Sequence, residues 1–336
     1  MIQYPVLTEN VVISVTAPSS GLPEQMHHYL DEIKAKFEDS YEIMIRPSVM
    51  TQDKVRSADA YTRARELNEL FTDDKTALII PPFGGELALE ILNKIEYEQL
   101  KPKWLLGYSD ISTILLAITL KTGIATAHGT NLVDLRGHYS DETTAMWSKV
   151  LNTKVNEDVV QYSSEFHQSK WNHNQPTDCV FNLDTPTEWK SVSKEAVSIE
   201  GRLLGGCVDV INHLVGTPYG DVKAFREKYI KDEPVIWYLE NCEVSSVELR
   251  RMLVQMQYAG WFDNCSGILF GRTPVTEDTN GYTMTDVYDE TAADLQIPII
   301  YDIDCGHMPP QITFINGAYG IVEYREGKGK VTQKFI

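Results

Sequence analysis

The sequence predicts an α/β protein: a parallel-sheet portion first, then a β-rich α/β portion. Three observations predict it. Between residues 11 and 128, short apolar or β-branched runs alternate with stretches of helical periodicity, the pattern of strands joined by crossover helices. Residues 163–193 interrupt that rhythm with a polar stretch rich in Ser, Asn, Gln, Thr and Asp. Beyond it apolar runs return, and residues 320–336 alternate as antiparallel strands do. These breaks divide the chain into residues 1–162, a linker or lid loop at 163–193, and residues 194–336.

Taken in order, residues 11–16 are a β-branched run stopped by Ala17-Pro18-Ser19-Ser20-Gly21, a first strand and its loop. Met26, Leu30, Ile33 and Phe37 recur every three or four positions, so residues 24–38 form an amphipathic helix. Residues 41–45 read as a second strand, 57–71 as a helix and 76–80 as a third strand ended by Pro81-Pro82-Phe83-Gly84-Gly85. Helix returns over 87–95. A strand at 104–107 precedes a helix running to about residue 121, and a short strand follows at 124–127. In the second half, the glycines of Gly201-Arg202-Leu203-Leu204-Gly205-Gly206 mark tight turns or close backbone approach. A short helix over 207–214, strands at 235–239, 267–272 and 297–301, and a helix over 247–258 complete the reading.

The chain has 336 residues, an apolar share of 43% and a formal net charge of −18. Its length suits about two domains. Its charge disfavours nucleic acid and anionic membranes as partners. Five scattered cysteines without C-x-x-C spacing argue against a disulfide framework or zinc ribbon and for a reducing compartment. The N-terminus lacks the basic and apolar regions of a signal peptide, and no apolar run reaches membrane-spanning length. A cytoplasmic protein is the expectation.

Three polar residues each stand at the end of an apolar run: Ser109, Glu240 and His307. Ligands of α/β sheets bind at the carboxyl ends of strands. A serine hydroxyl attacks only when an imidazole takes its proton and a carboxylate orients that imidazole. Each residue also has an ordinary use. Serine before a helix is a favoured N-cap. Glu240 suits an ion pair with Arg250 or Arg251, and His307 a turn beside Gly306 and Pro309. Gly107-Tyr108-Ser109-Asp110-Ile111 departs from G-x-S-x-G at its last position. Gly84-Gly85 is either a plain turn or a close approach whose N–H joins that of Asp110 in an oxyanion hole. Trp171 and Trp189, inside the polar stretch, either cover something flat or anchor the linker to the body.

Taken together, Val12–Ser20, Gly84-Gly85, Gly107–Ser112, Gly201–Gly206, Gly216-Thr217-Pro218-Tyr219, Leu239-Glu240-Asn241 and Gly306-His307 resemble, in order, the landmarks of the LD-carboxypeptidase (peptidase S66) family. Residues 121–126 and the tryptophan-bearing insert resemble its microcin C immunity branch. The resemblance implies a flavodoxin-like N-terminal domain, a β-rich C-terminal domain and a homodimer. It implies a serine peptidase without metal or cofactor, with Ser109 as nucleophile, Glu240 as acid and His307 as base. The Asp110 N–H and Gly85 would be oxyanion donors, with Gly84 beside the substrate. The immunity branch cleaves the amide joining an aminoacyl or peptidyl group to a nucleotide-like moiety. Its stacking tryptophan would fall to Trp189, with Trp171 second. The murein branch instead trims peptidoglycan tetrapeptides, and a non-catalytic ligand-binding protein on the same scaffold is a third reading. Pro81-Pro82-Phe83, Glu86, Cys207 and Asn241 depart from the family pattern and bear on substrate preference.

Overall fold

The computed structural model describes residues 1–7, 11–170 and 175–336. Five strands of the first half are β1 (Val12–Val15), β2 (Glu42–Ile45), β3 (Thr76–Ile80), β4 (Trp104–Gly107) and β5 (Thr126–His128). They are parallel to one another in the spatial order β2-β1-β3-β4-β5, the doubly wound flavodoxin order. Their helices are α1 (His28–Phe37), α2 (Ala60–Thr72) and α3 (Ser112–Thr122). Asp59 caps α2 by accepting from the Tyr61 and Thr62 N–H groups at 2.9 and 3.0 Å. This helix buries Ala64, Leu67, Leu70 and Phe71, the stripe expected from their spacing. Apolar on every side, α3 is buried from Ser112 through Leu120, as a helix enclosed between two layers must be.

Next come α4 (Glu142–Leu151) and β6 (Asp158–Tyr162). The polar stretch holds a two-residue ribbon, β7 (Phe166–His167) with β8 (Thr185–Pro186), and then β9 (Lys190–Ser191). After it follow β10 (Val197–Cys207), the single-turn helices α5 (Val208–Ile211) and α6 (Val222–Phe225), and β11 (Val235–Glu240). The chain continues through α7 (Ser246–Tyr258), β12 (Cys265–Gly271), α8 (Met284–Leu295), β13 (Ile299–Ile303), β14 (Phe314–Asn316), β15 (Tyr319–Arg325) and β16 (Lys328–Lys334). An eight-stranded sheet runs β6-β16-β15-β10-β11-β12-β13-β9. Its β10-β11-β12-β13 centre is parallel and its flanks antiparallel.

The division at residue 162 does not follow the sheets. β6 lies before it yet pairs with β16 at the edge of the larger sheet. β14 lies far beyond it yet pairs antiparallel with β5, Ile315 opposite Ala127. At the end of the 163–193 stretch, β9 pairs with β13 and is held in the larger sheet. The glycines of 201–206 belong to one long strand, not to turns. The expected helix over 87–95 is a 3₁₀ segment, Ala88–Lys94.

Between the layers, β10 abuts α3: the Cys207 N–H donates to Ser112 Oγ at 3.1 Å. Asn316 of β14 accepts from the Tyr238 hydroxyl at 2.7 Å and from the Gly205 N–H at 2.9 Å. Among the described residues, no helix is long and apolar enough to cross a membrane.

Candidate active site

β4 delivers Ser109. Tyr108 is extended, and Ser109 turns sharply to φ +63° before a 3₁₀ turn leads into α3. A non-glycine residue rarely adopts that conformation, and strained positions of this kind collect at functional sites. The hydroxyl does not cap the helix; Ser109 Oγ lies 3.0 Å from His307 Nε2. The imidazole's other nitrogen, Nδ1, lies 2.8 Å from Glu240 Oε2. Residues 109, 240 and 307 thus form one chain of contacts from hydroxyl to imidazole to carboxylate. Every member comes from the carboxyl end of a parallel strand: β4, β11 and the loop after β13.

The loop carrying His307 is held from several sides. Arg272, at the end of β12 and buried, donates from Nη2 to Asp304 Oδ1 at 2.8 Å and to the carbonyls of Met308 and Pro310 at 3.1 and 3.3 Å. Gly306, at φ +91°, must be glycine because a Cβ there would stand 2.4 Å from Glu240 Oε2.

Glu240 is fully buried and His307 is 5% exposed. Burial disfavours either charge, but each partner stabilises the other's charged form. Glu240 stays below the usual carboxylate range, and the His307 imidazole is lifted well above the ordinary histidine value, chiefly by the Glu240 charge and by Cys242 beside it. Nearby, buried His128 is pushed down to about 4 by desolvation.

Gly84 and Asp110 close the other side of Ser109. A Cβ at Gly84 would lie 2.8 Å from Ser109 Oγ and 3.4 Å from the Asp110 nitrogen, so glycine keeps open a space bounded by both. Gly85, at φ +144°, faces Ser19 and Ser20, and the Gly84 carbonyl accepts from the Ser20 N–H at 3.3 Å. The Asp110 carboxylate is buried and accepts from the Ser19 hydroxyl at 2.5 Å and from the Ala88 N–H at 2.7 Å.

A cleft of about 1050 Å³ opens beside Ser109, with Gly85, Asp110, Cys207 and Cys242 in its wall. Cys207 Sγ, a Glu240 carboxylate oxygen and a His307 ring nitrogen lie within 4.8 Å of one another, a donor set that suits a metal ion. Both imidazole nitrogens are already engaged, so a metal there would displace Ser109 or Glu240.

Trp189 has a different place from the one expected of a stacking residue. It is fully buried, packs on Gly329 and donates from Nε1 to Asp304 Oδ2 at 2.8 Å. The same carboxylate accepts from Ser164 and Arg272. The indole therefore anchors the insert and the Asp304 loop, and offers no face to a ligand. Trp189→Ala should cost about 3–5 kcal/mol, read as a lower urea midpoint. A loss under about 1 kcal/mol would contradict this packing role. Trp171 lies outside the described residues.

Sequence reasoning did not single out Thr113, Asp209 or Glu243, which also line the cleft. Glu243 follows shortly after Glu240 at the end of β11, and Thr113 lies one helical turn beyond Ser109. The strand-end rule that located the other residues could have found them.

Comparison with known proteins identifies the family. Residues 13–129 match the LD-carboxypeptidase N-terminal domain and residues 200–321 the LD-carboxypeptidase C-terminal domain. A Vibrio cholerae protein bearing a carboxypeptidase name, VC_A0337, is 29% identical over 84% of this chain and 83% of its own. The Escherichia coli microcin C7 self-immunity protein MccF is 22% identical over 84% of this chain and 82% of its own. A structure of MccF in complex with glutamyl sulfamoyl guanosine shares the fold, with a TM-score of 0.82, 19% identity and coverage of 100% of this chain and 99% of that one. Muramoyltetrapeptide carboxypeptidase from Oxalobacter formigenes shares it at a TM-score of 0.71, 18% identity and coverage of 96% and 99%. With both domain models matched in order along one chain, the protein belongs to the LD-carboxypeptidase (peptidase S66) family.

Proposed function

We propose that this protein is a serine hydrolase of peptide-type amides that works through Ser109, His307 and Glu240. The observation that carries the reading is the continuous contact from the Ser109 hydroxyl through His307 to buried Glu240, at 3.0 and 2.8 Å. His307 Nε2 takes the Ser109 proton while Oγ attacks the carbonyl carbon. The negative charge formed on the carbonyl oxygen is met by the N–H groups of Asp110 and Gly85 in the space beside Gly84. Glu240 stabilises the imidazolium, which then protonates the departing nitrogen. Water, deprotonated by the same imidazole, opens the acyl ester and restores the hydroxyl. None of these steps calls on a cofactor.

For the substrate, the reading is an aminoacyl or peptidyl group joined by an amide-type bond to a nucleotide-like moiety. MccF, which shares the fold over the full chain, is seen with glutamyl sulfamoyl guanosine and with aspartyl sulfamoyl adenosine. A volume of about 1050 Å³ is ample for such a molecule. The homodimer implied by the family resemblance is carried here as part of the proposal.

The test is incubation with aminoacyl sulfamoyl nucleosides and with muropeptide tetrapeptides, read by mass spectrometry. Release of the free acyl group from the nucleoside series is the expected result. Cleavage of the muropeptide alone would move the protein to the murein reading. Binding without cleavage of any member would support a non-catalytic role.

A further inference from the structure

A sulfur stands against the acid and base of the proposed mechanism, which has no use for it. Cys207 Sγ, a Glu240 carboxylate oxygen and a His307 ring nitrogen all lie within 4.8 Å of one another. One comes from the end of β10, one from the end of β11 and one from the loop after β13. β10 and β11 are parallel neighbours, and Cys207 is the register partner of Glu240. The sheet itself, not a loose loop, therefore sets the sulfur beside the carboxylate. The third group rides on the loop that Arg272 holds through Asp304, Met308 and Pro310.

Thiolate, imidazole and carboxylate together are the ligand types of zinc. Magnesium and calcium take oxygen ligands instead. With metal–ligand bonds of about 2.0–2.3 Å, ligand atoms around a tetrahedral zinc stand roughly 3.3–3.8 Å apart. Three donors already within 4.8 Å of one another reach that spacing by side-chain moves of about 1 Å. The thiol has little to give up, since its contact with Asp209 Oδ2 is long, at 3.6 Å, and a thiol is a weak donor. Cys207 also lines the cleft beside Ser109, so an ion reaches the set from there, and water fills its fourth position.

We propose that Cys207, Glu240 and His307 form an inhibitory site for a divalent cation of the zinc class. On ligation the thiol gives its proton to solvent. Both ring nitrogens of His307 are engaged, by Glu240 and by Ser109, so the metal takes the imidazole from one or the other. Either loss stops proton transfer from the serine. That binding stops the chemistry rests on the serine-hydrolase reading; that the metal binds does not. Cys207 is one of the positions at which the sequence departs from the family pattern, and without its sulfur the set has no soft ligand.

Two readouts on the whole chain, freed of trace metal with a chelator, test the site. Added Co²⁺ should produce an intense thiolate-to-cobalt charge-transfer band in the near ultraviolet. Zn²⁺ should displace it, and Cys207→Ala and Cys207→Ser, the latter keeping the side-chain volume, should lack it. Zn²⁺ should also slow the labelling of Ser109 by a serine-directed phosphonate, reversibly on adding chelator, whereas Mg²⁺ and Ca²⁺ should not. Either cysteine variant should need at least about 100-fold more Zn²⁺ for the same slowing, a loss no smaller than that caused by removing a supporting residue around a metal ligand. Absence of the cobalt band in the wild type, a band that persists without Cys207, or labelling equally sensitive to Zn²⁺ in wild type and variants would overturn the proposal and leave the hydrolase reading standing. Failure of Ser109 to label in metal-free protein would instead overturn the hydrolase reading, and the cobalt band alone would then decide the metal site.

Discussion

Ser109→Ala is expected to lower kcat/KM by roughly 10⁶-fold, the scale seen when a serine hydrolase loses its nucleophile, while the protein stays folded. The structure explains both halves. The hydroxyl sits 3.0 Å from His307 Nε2. Alanine is no more strained than serine at φ +63°. Folding therefore loses one partly exposed hydrogen bond, about 1 kcal/mol. That corresponds to a shift in Tm of a few degrees at most in a chain of this size. Steady-state kinetics on any substrate cleaved by the wild type, with a thermal melt beside it, checks both. A variant that keeps wild-type turnover would remove Ser109 from the chemistry.

The second large effect belongs to Glu240. Glu240→Gln keeps the shape but withdraws the charge that supports the imidazolium, and kcat should fall about 10⁴-fold. Its pH dependence carries a sign that a merely structural role would not produce. Turnover needs neutral His307. In the wild type the Glu240 charge overcomes burial and lifts the imidazole well above its ordinary value. Activity should therefore rise with pH through a limb lying above the usual histidine range of about 6.5. With glutamine in place, burial remains and the carboxylate is gone, so the limb should move to lower pH. The variant then loses less relative activity in acid than in base. A limb that stays in place, or moves upward, would contradict the pairing of Glu240 with His307.

Much of this site was legible because strand ends concentrate chemistry in an α/β protein. Ser109, Glu240 and His307 each close an apolar run, and an apolar run is readable from local sequence. The alternation before residue 128 likewise announced the parallel sheet, since each crossover helix carries its own periodicity. Less visible was what depends on partners distant in the chain. Trp189 looked available because its neighbours are polar, yet its indole reaches Asp304, 115 positions away. β14 pairs with β5 across a gap of almost two hundred residues, and no local pattern reports that. The positive φ at Ser109 had no glycine to betray it. By contrast, α8 carried a readable signal that was not used: Thr283 and Asp286 form a reciprocal cap at its start, with the Thr283 N–H donating to Asp286 Oδ2 at 2.7 Å and the Asp286 N–H to Thr283 Oγ1 at 3.2 Å. α4 likewise begins at Asp141, which accepts from the Thr143 and Thr144 N–H groups at 3.1 and 2.9 Å.

For the Gly201–Gly206 stretch the glycines allow two readings, tight turns or close backbone approach, and the structure shows the second. Glycines there do mark close approach, because β10 is wedged between α3 and β11. Glycine inside a strand weakens it and often marks a close backbone approach. A Cβ would stand 2.6 Å from the Pro234 carbonyl oxygen at Gly201 and 1.8 Å from that of Tyr238 at Gly205, both on the β11 side, and 2.7 Å from Ser112 Cβ of α3 at Gly206; close approach, not a change of chain direction, excludes side chains there.

The central claim is that three residues remote in sequence act as one catalytic unit. Its most direct measurement is covalent labelling by a serine-directed phosphonate, with the adduct mapped by peptide mass spectrometry in the wild type and in His307→Ala. The account predicts one adduct per chain, on Ser109, and a labelling rate at least 10³-fold slower without the imidazole. An adduct on another residue, or a Ser109 rate indifferent to His307, would contradict it.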